Sequence, residues 1–237
     1  GGISWLPYYM RHHVTADAIS RGNWGLGFLV GGGGIVLPDT VPDSASGYQW
    51  NISLDVLLKM VKPLIVQSIG WNLFHDQEPS RDMIAHLQIA AKKAAFFSVR
   101  SKAGMKRMQD LDIGPVCYHP CPSLFLDAPE QPIKADFVGI NLAGDRASLR
   151  FKDKDKFIAE IEKLVRQIRR KLGCEVCFLN HSWSPDRNLV EAQGVKETWS
   201  RDMSTNWMDT ILGRRIWELK QCRAVVGMRL HGGMIPW

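Results

Sequence analysis

Apolar residues along the chain gather in short runs, and between the runs they recur every three or four positions. Residues 26–30 (Leu-Gly-Phe-Leu-Val), 64–69 (Leu-Ile-Val-Gln-Ser-Ile), 96–99 (Phe-Phe-Ser-Val) and 115–118 read as strands, the first two buried. Ser53 opens a helix from Leu54 to about Val61, which Pro63 stops. Ser80 caps a second helix, with Ile84, Leu87, Ala91 and Ala94 on one face, and Ser101 caps a third that runs to about Leu111. Residues 38–50 are rich in Pro, Asp, Ser and Gly and form a loop. Alternation of strand and helix implies parallel strands joined by right-handed crossovers, an α/β fold.

The polar segment Asp127–Pro132 holds two prolines and reads as a linker, which divides the chain into domains at 1–130 and 131–237. The pattern then restarts. Phe137–Leu142 is a strand, and a long amphipathic helix covers 153–172 with Phe157, Ile161, Leu164, Val165, Ile168 and Leu172 inward. Gly173 suits the position just past its end. Cys174–Asn180 is a buried strand leading to His181, and residues 182–202 are polar without a clear period. A helix over 207–221 and a strand over 224–228 follow, then Arg229-Leu230-His231-Gly232-Gly233. A strand and a glycine turn should feed a further helix, so the end at Trp237 reads as a truncation. The leading glycines read as a cut edge, with a strand and helix expected before them.

Composition is that of a globular protein: 237 residues, 45% hydrophobic and 23% charged. No stretch is long and apolar enough for a transmembrane helix, and the first residues lack the pattern of a signal peptide. Net charge is +6 and the pI about 9.1, but the basic residues lie mostly on predicted helices and read as solvated faces. No nucleic-acid-binding motif accompanies them. Five cysteines, an odd number without a secretion signal, point to a reducing, cytoplasmic compartment. Cys117-x-x-x-Cys121 and Cys174-x-x-Cys177 superficially suggest zinc, yet residues three apart on a strand face opposite ways. They are read as core cysteines, with no metal site.

Ligands of open parallel sheets bind beyond the carboxyl ends of the strands. Five features sit there. Gly31–Gly34, including Gly32 and Gly33, let backbone approach a ligand. Gln67 to Asn72, with Trp71, and His75 just beyond, combine amides, an aromatic ring and a titratable group suited to a sugar. Arg100, between a strand and a helix start, is expected to pair with a structural carboxylate, the alternative being an anionic ligand. Arg229, Leu230 and His231 form the most specific feature, since an arginine fork and a histidine at a strand mouth suit anion binding and proton transfer. Arg146 and His181 follow the first and second strands of the second half.

In order and spacing, these features resemble the polysaccharide pyruvyl transferase family. The resemblance is carried by Phe28-Leu-Val-Gly-Gly-Gly-Gly34, the Gln67–Gly70 turn, Ser98-Val-Arg-Ser101, Phe178-Leu-Asn-His181 and Gly227-Met-Arg-Leu-His-Gly232. It departs at Cys121-Pro122, where the family usually has aspartate-proline. The resemblance implies two Rossmann-like halves facing a cleft in a GT-B-like arrangement. It further implies transfer of pyruvate from phosphoenolpyruvate to two hydroxyls of a glycan sugar, with no other cofactor. Arg229, Leu230, His231, Arg146 and His181 would then hold the donor, with Arg229 and His231 catalytic. Gly32, Gly33, Gln67, Trp71 and His75 would hold the acceptor, and a lipid-linked acceptor would add a peripheral membrane contact. The implied setting is exopolysaccharide or cell-wall biosynthesis. Competing readings are a GT-B-like glycosyltransferase using a nucleotide sugar and a non-catalytic carbohydrate-binding relative; the oligomeric state is open.

Overall fold

The computed structural model describes residues 12–38, 41, 43–74, 77–125, 135–144, 150–180, 200–202 and 222–228. The chain divides into two compact units, Gly1–Cys121 and Pro122–Trp237. Both are α/β and built on parallel sheets, as in Rossmann-like folds.

In the first unit, α1 (Ala16–Gly22) precedes β1 (Phe28–Gly31), followed by α2 (Leu54–Leu58), β2 (Leu64–Ile69), α3 (Arg81–Lys93), β3 (Phe96–Val99), α4 (Lys102–Asp110) and β4 (Cys117–Tyr118). The described strands lie in the order β1-β2-β3-β4, all parallel. Helix starts follow capping chemistry. The Thr15 side chain accepts from Ala18 N–H, Ser80 from Met83 N–H and Ser101 from Gly104 N–H, each filling an otherwise orphaned donor. Ser53 departs from expectation: its hydroxyl turns to Asp55 and makes no cap, and α2 ends at Leu58.

The core of this unit joins Leu64, Val66, Ile69, Phe97 and Val99 of the sheet to Met83, Leu87, Ala90 and Ala91 of α3, and to Ile35, Val36, Tyr48, Trp50 and Ile52 from the β1–α2 connection. The buried stripe of α3 includes Met83, His86 and Ala90, while Ile84 and Ala94 pack at its margin. The expectation of a buried first strand is corrected at its start. Leu26 lies before β1 and is 97% exposed, and Leu29, Ile65 and Phe96, aligned across three strands, form an exposed face. Apolar runs therefore mark these strands correctly but overstate their burial.

In the second unit a 3-10 turn (Pro122–Phe125) leads on to β5 (Ala135–Asn141), α5 (Lys154–Leu172), β6 (Glu175–Asn180), β7 (Ser200–Asp202) and β8 (Cys222–Gly227). Asp153 caps α5 through Lys156 N–H at 2.9 Å, and Gly173 ends it at φ 63°, a conformation natural to glycine. Val165 and Ile168 of α5 pack on Val138, Ile140, Val176 and Phe178. Leu172, expected inward, is half exposed at the helix end. The predicted helix 207–221 lies outside the described residues.

The sheet order is β7-β6-β5-β8, all parallel. From β5 the chain moves outward through β6 to β7, then returns to the other side of β5 as β8. That reversal makes the carboxyl ends of β5 and β8 a topological switch point, where connections leave in opposite directions and open a crevice.

None of the five cysteines, all among the described residues, is in a disulfide. Cys174 belongs to the core beside α5, whereas Cys177 packs with Cys222 in a separate cluster, so the two do face opposite ways. Arg223 Nη1 donates to Cys174 Sγ at 3.1 Å. Cys117 corrects the reading of all five as core residues: it is exposed on β4.

Candidate functional site

In the first unit the carboxyl ends of the strands carry a connected polar set. β1 runs into Gly32 at φ 82° and Gly33 at φ 66°, with no atom within 4 Å of where either Cβ would stand. These angles favour glycine, and the backbone there is open. The chain then resumes beside β2: Gly33 O accepts from Gly70 N–H, Val36 N–H donates to Gly70 O, and Val36 O accepts from Asn72 N–H, at 2.9 to 3.1 Å. The glycine run is thus a break in an otherwise continuous strand, stitched on both sides to the Gly70–Asn72 turn.

Gln67 pairs with Gly31 and is partly buried. Trp71 forms a backbone bridge with Val36, and its side chain packs, partly buried, against the first core. Arg100 lies against Gly70, where a Cβ would stand 2.7 Å from its Nε and Nη2. Its Nη2 donates to Asn72 Oδ1 at 3.2 Å. The Asn72 carboxamide in turn fills the space where a Cβ on Gly34 would stand. The expected carboxylate partner of Arg100 is not found: among the described residues no Asp or Glu pairs with it. Burial pushes its pKa below the ordinary value, and Cys121, when ionised, acts in the opposite direction. The guanidinium stays charged at any physiological pH.

Two side chains were missed in the sequence. Ser68 sits at φ 52°, in a bulge of β2. Its hydroxyl donates to Pro120 O and lies 3.0 Å from His119 Nδ1. Nδ1 also faces Pro120 O at 3.0 Å, an atom that only accepts, so the proton is assigned to Nδ1 and Nε2 is left as the acceptor. His119 follows β4 and directly precedes Pro120. Asn72, one of the amides expected just beyond the second strand, is the residue that holds Arg100.

In the second unit, β5 and β8 pair through Asn141 and Gly227, and Met228 N–H donates to Asn141 O at 2.9 Å. Asn141 is fully buried. The residue after Met228 in the chain is Arg229. His75, Arg146, His181, Arg229, Leu230 and His231 themselves lie outside the described residues. Among the described residues no group of three or more His, Cys, Asp or Glu could hold a metal, and no helix is long and apolar enough to cross a membrane.

A family model for polysaccharide pyruvyl transferases matches residues 6–236. The chain belongs to the polysaccharide pyruvyl transferase family. It is therefore an enzyme, a transferase whose family acts as pyruvyl transferases on polysaccharides. No curated protein matches the chain, and no solved structure does. Within the family model fall both the glycine break of the first unit and the switch point of the second.

Proposed function

We propose that this family member transfers pyruvate from phosphoenolpyruvate to two hydroxyls of a glycan sugar and forms a cyclic ketal. The observation that supports this best is the strand order β7-β6-β5-β8. Its switch point lies between β5 and β8, and the sequence continues to Arg146 after β5 and to Arg229, Leu230 and His231 after β8. His181 follows β6. An anionic donor with both a phosphate and a carboxylate calls for two guanidinium groups, and Arg229 and Arg146 supply them in this reading.

The chemistry balances with His231 as the proton-transfer group. A proton is delivered to the terminal enol carbon, which becomes a methyl group, while a sugar hydroxyl bonds to the neighbouring carbon and loses its proton. A second hydroxyl then displaces phosphate from that carbon and closes the ketal, and its proton leaves with the phosphate. Histidine suits both directions of transfer near neutral pH. Phosphate is the leaving group, so the scheme needs no further cofactor or metal. In the same reading the two units take a GT-B-like arrangement, with the acceptor on the first unit near Gly32, Gly33, Gln67, Trp71 and His75, in the cytoplasm. A lipid-linked acceptor would bring the protein to a membrane surface.

Calorimetric titration with phosphoenolpyruvate, comparing wild type with Arg229→Ala, tests the donor assignment. The expected result is saturable binding, weakened roughly 10- to 100-fold in the variant, as for loss of a charged hydrogen bond. Equal binding by both proteins would remove Arg229 from the site. Binding of nucleotide sugars in place of phosphoenolpyruvate would favour a glycosyl donor.

A further inference from the structure

We propose that the first unit docks on an anionic lipid surface through the amino edge of its sheet, where Trp24, Leu26 and Val61 stand exposed beside Lys62 and Lys92. This surface lies at the opposite end of the strands from the candidate site. Its geometry belongs to the first unit alone and is independent of the donor and acceptor proposed above.

Parallel strands bring the segments that precede them to one edge. Phe28 N–H donates to Pro63 O and Ala95 N–H to Leu64 O, each at 2.8 Å, so the lead-ins to β1, β2 and β3 lie side by side. Asn23 fastens the first two together. Its Nδ2 donates to Lys59 O and its Oδ1 accepts from Val61 N–H, both at 3.0 Å. On this braced edge Trp24 is 91% and Val61 77% exposed, with Leu26 next to Trp24 in the same lead-in and Leu58 exposed at the end of α2. Single exposed apolar residues are ordinary, whereas a group of them held in place by side-chain hydrogen bonds marks an interaction surface.

The charge on this edge selects the partner. Residues 18–31, 56–64 and 88–98, which carry the three lead-ins, contain no Asp or Glu. Arg21 and Lys59 each pair with an acid one turn earlier, Asp17 at 3.0 Å and Asp55 at 3.8 Å. Lys62, Lys92 and Lys93 have no carboxylate partner among the described residues. Lys92 and Lys93 end α3, where they also offset the helix dipole, while Lys62 lies in a loop without that role. The acids Asp110 and Asp112 precede β4, the far strand of the sheet, and Asp110 is paired with Lys106. Tryptophan, leucine and valine beside unpaired lysines suit the boundary between headgroups and acyl chains. Each lysine brought to an anionic surface strengthens binding about fivefold. A second copy of the chain fits less well, because a two-fold contact would set the same lysines against each other, and lysine is depleted where proteins pack on proteins.

The test is co-sedimentation of the full chain with vesicles of equal parts phosphatidylglycerol and phosphatidylcholine, and with vesicles of phosphatidylcholine alone. No glycan or phosphoenolpyruvate is present, so failure here is distinct from failure of the proposed reaction. The expected result is saturable binding to the anionic vesicles that falls as salt rises, with little binding to the neutral ones. Trp24→Ser combined with Leu26→Ser should weaken it roughly tenfold or more through lost apolar insertion. Lys62→Gln, Lys92→Gln and Lys93→Gln together should weaken it about 100-fold. These side chains lie outside the core, so the melting curve should not move. Lys62→Glu alone, at an exposed loop position, measures the charge contribution without touching α3 and should weaken binding roughly tenfold or more. Absence of binding to the anionic vesicles would overturn the surface, as would equal binding to both kinds of vesicle. So would unchanged binding in the Trp24–Leu26 variant or in the lysine variants. If vesicles do not bind while wild type forms a dimer that the Trp24–Leu26 variant loses, the edge belongs to a second copy and the lipid assignment is overturned.

Discussion

His86 gives the first unit a stability that fails in acid, and the size of the effect can be worked from its surroundings. The ring lies on α3, 1% exposed, edge-on to Tyr48 and Trp50. Tyr48 Oη is 3.0 Å from its Nδ1, while Nε2 meets no partner in hydrogen-bonding geometry. Burial lowers the pKa from 6.5 to about 4, with the Ile52 backbone opposing to a smaller extent. Burial likewise pushes the Tyr48 phenol far above its ordinary value, so the pair stays neutral. The folded pKa is the lower one, so the unfolded chain takes up the proton first. Stability from the neutral ring is complete above pH 6.5 and declines as pH falls, by up to about 1.4 kcal/mol per unit. The decline ends near pH 4, where the folded ring also titrates, after a total loss on the order of 3 kcal/mol. Urea denaturation at a series of pH values, comparing wild type with His86→Gln, isolates this group from the carboxylates that titrate in the same range. Wild type should lose stability faster than the variant between pH 6.5 and 4. Parallel curves would refute the reasoning.

Two further outcomes concern the segments around the candidate site. Ser101→Ala removes the cap from α4, whose hydroxyl accepts from Gly104 N–H at 3.1 Å, and should cost about 1 kcal/mol in chemical denaturation. Gly33→Ala forces a side chain onto a φ of 66°; open space around it means no clash, so the loss should be the conformational cost alone, about 1 to 2 kcal/mol.

Much of the fold was legible because parallel strands buried against helices announce themselves as apolar runs, and serine or aspartate caps mark where helices begin. Strands 64–69 and 96–99 and the long helix ending at Gly173 follow this rule closely. The elements that escaped notice carry no apolar run in the sequence. Helix α1 buries only Ile19, and β7 (Ser-Arg-Asp) pairs with β6 through its backbone. Strand order was beyond a local pattern: nothing in the sequence of β8 says that it returns to β5, and that return creates the switch point. At the site, Arg100 was visible as a residue, but the sequence favoured a carboxylate partner. Its real neighbours, Gly70, Asn72 and Cys121, lie on other strand ends and are brought together only by the parallel sheet. His119 required knowledge that β2 bulges at Ser68.

Pyruvate transfer itself is the most direct test. Purified protein would be incubated with phosphoenolpyruvate and a glycan acceptor, following phosphate release together with the methyl signal of a pyruvate ketal by NMR. The account predicts one phosphate released per ketal formed, each dependent on acceptor. Ketal-free phosphate release, or transfer of a sugar from a nucleotide sugar under the same conditions with no ketal from phosphoenolpyruvate, would contradict it.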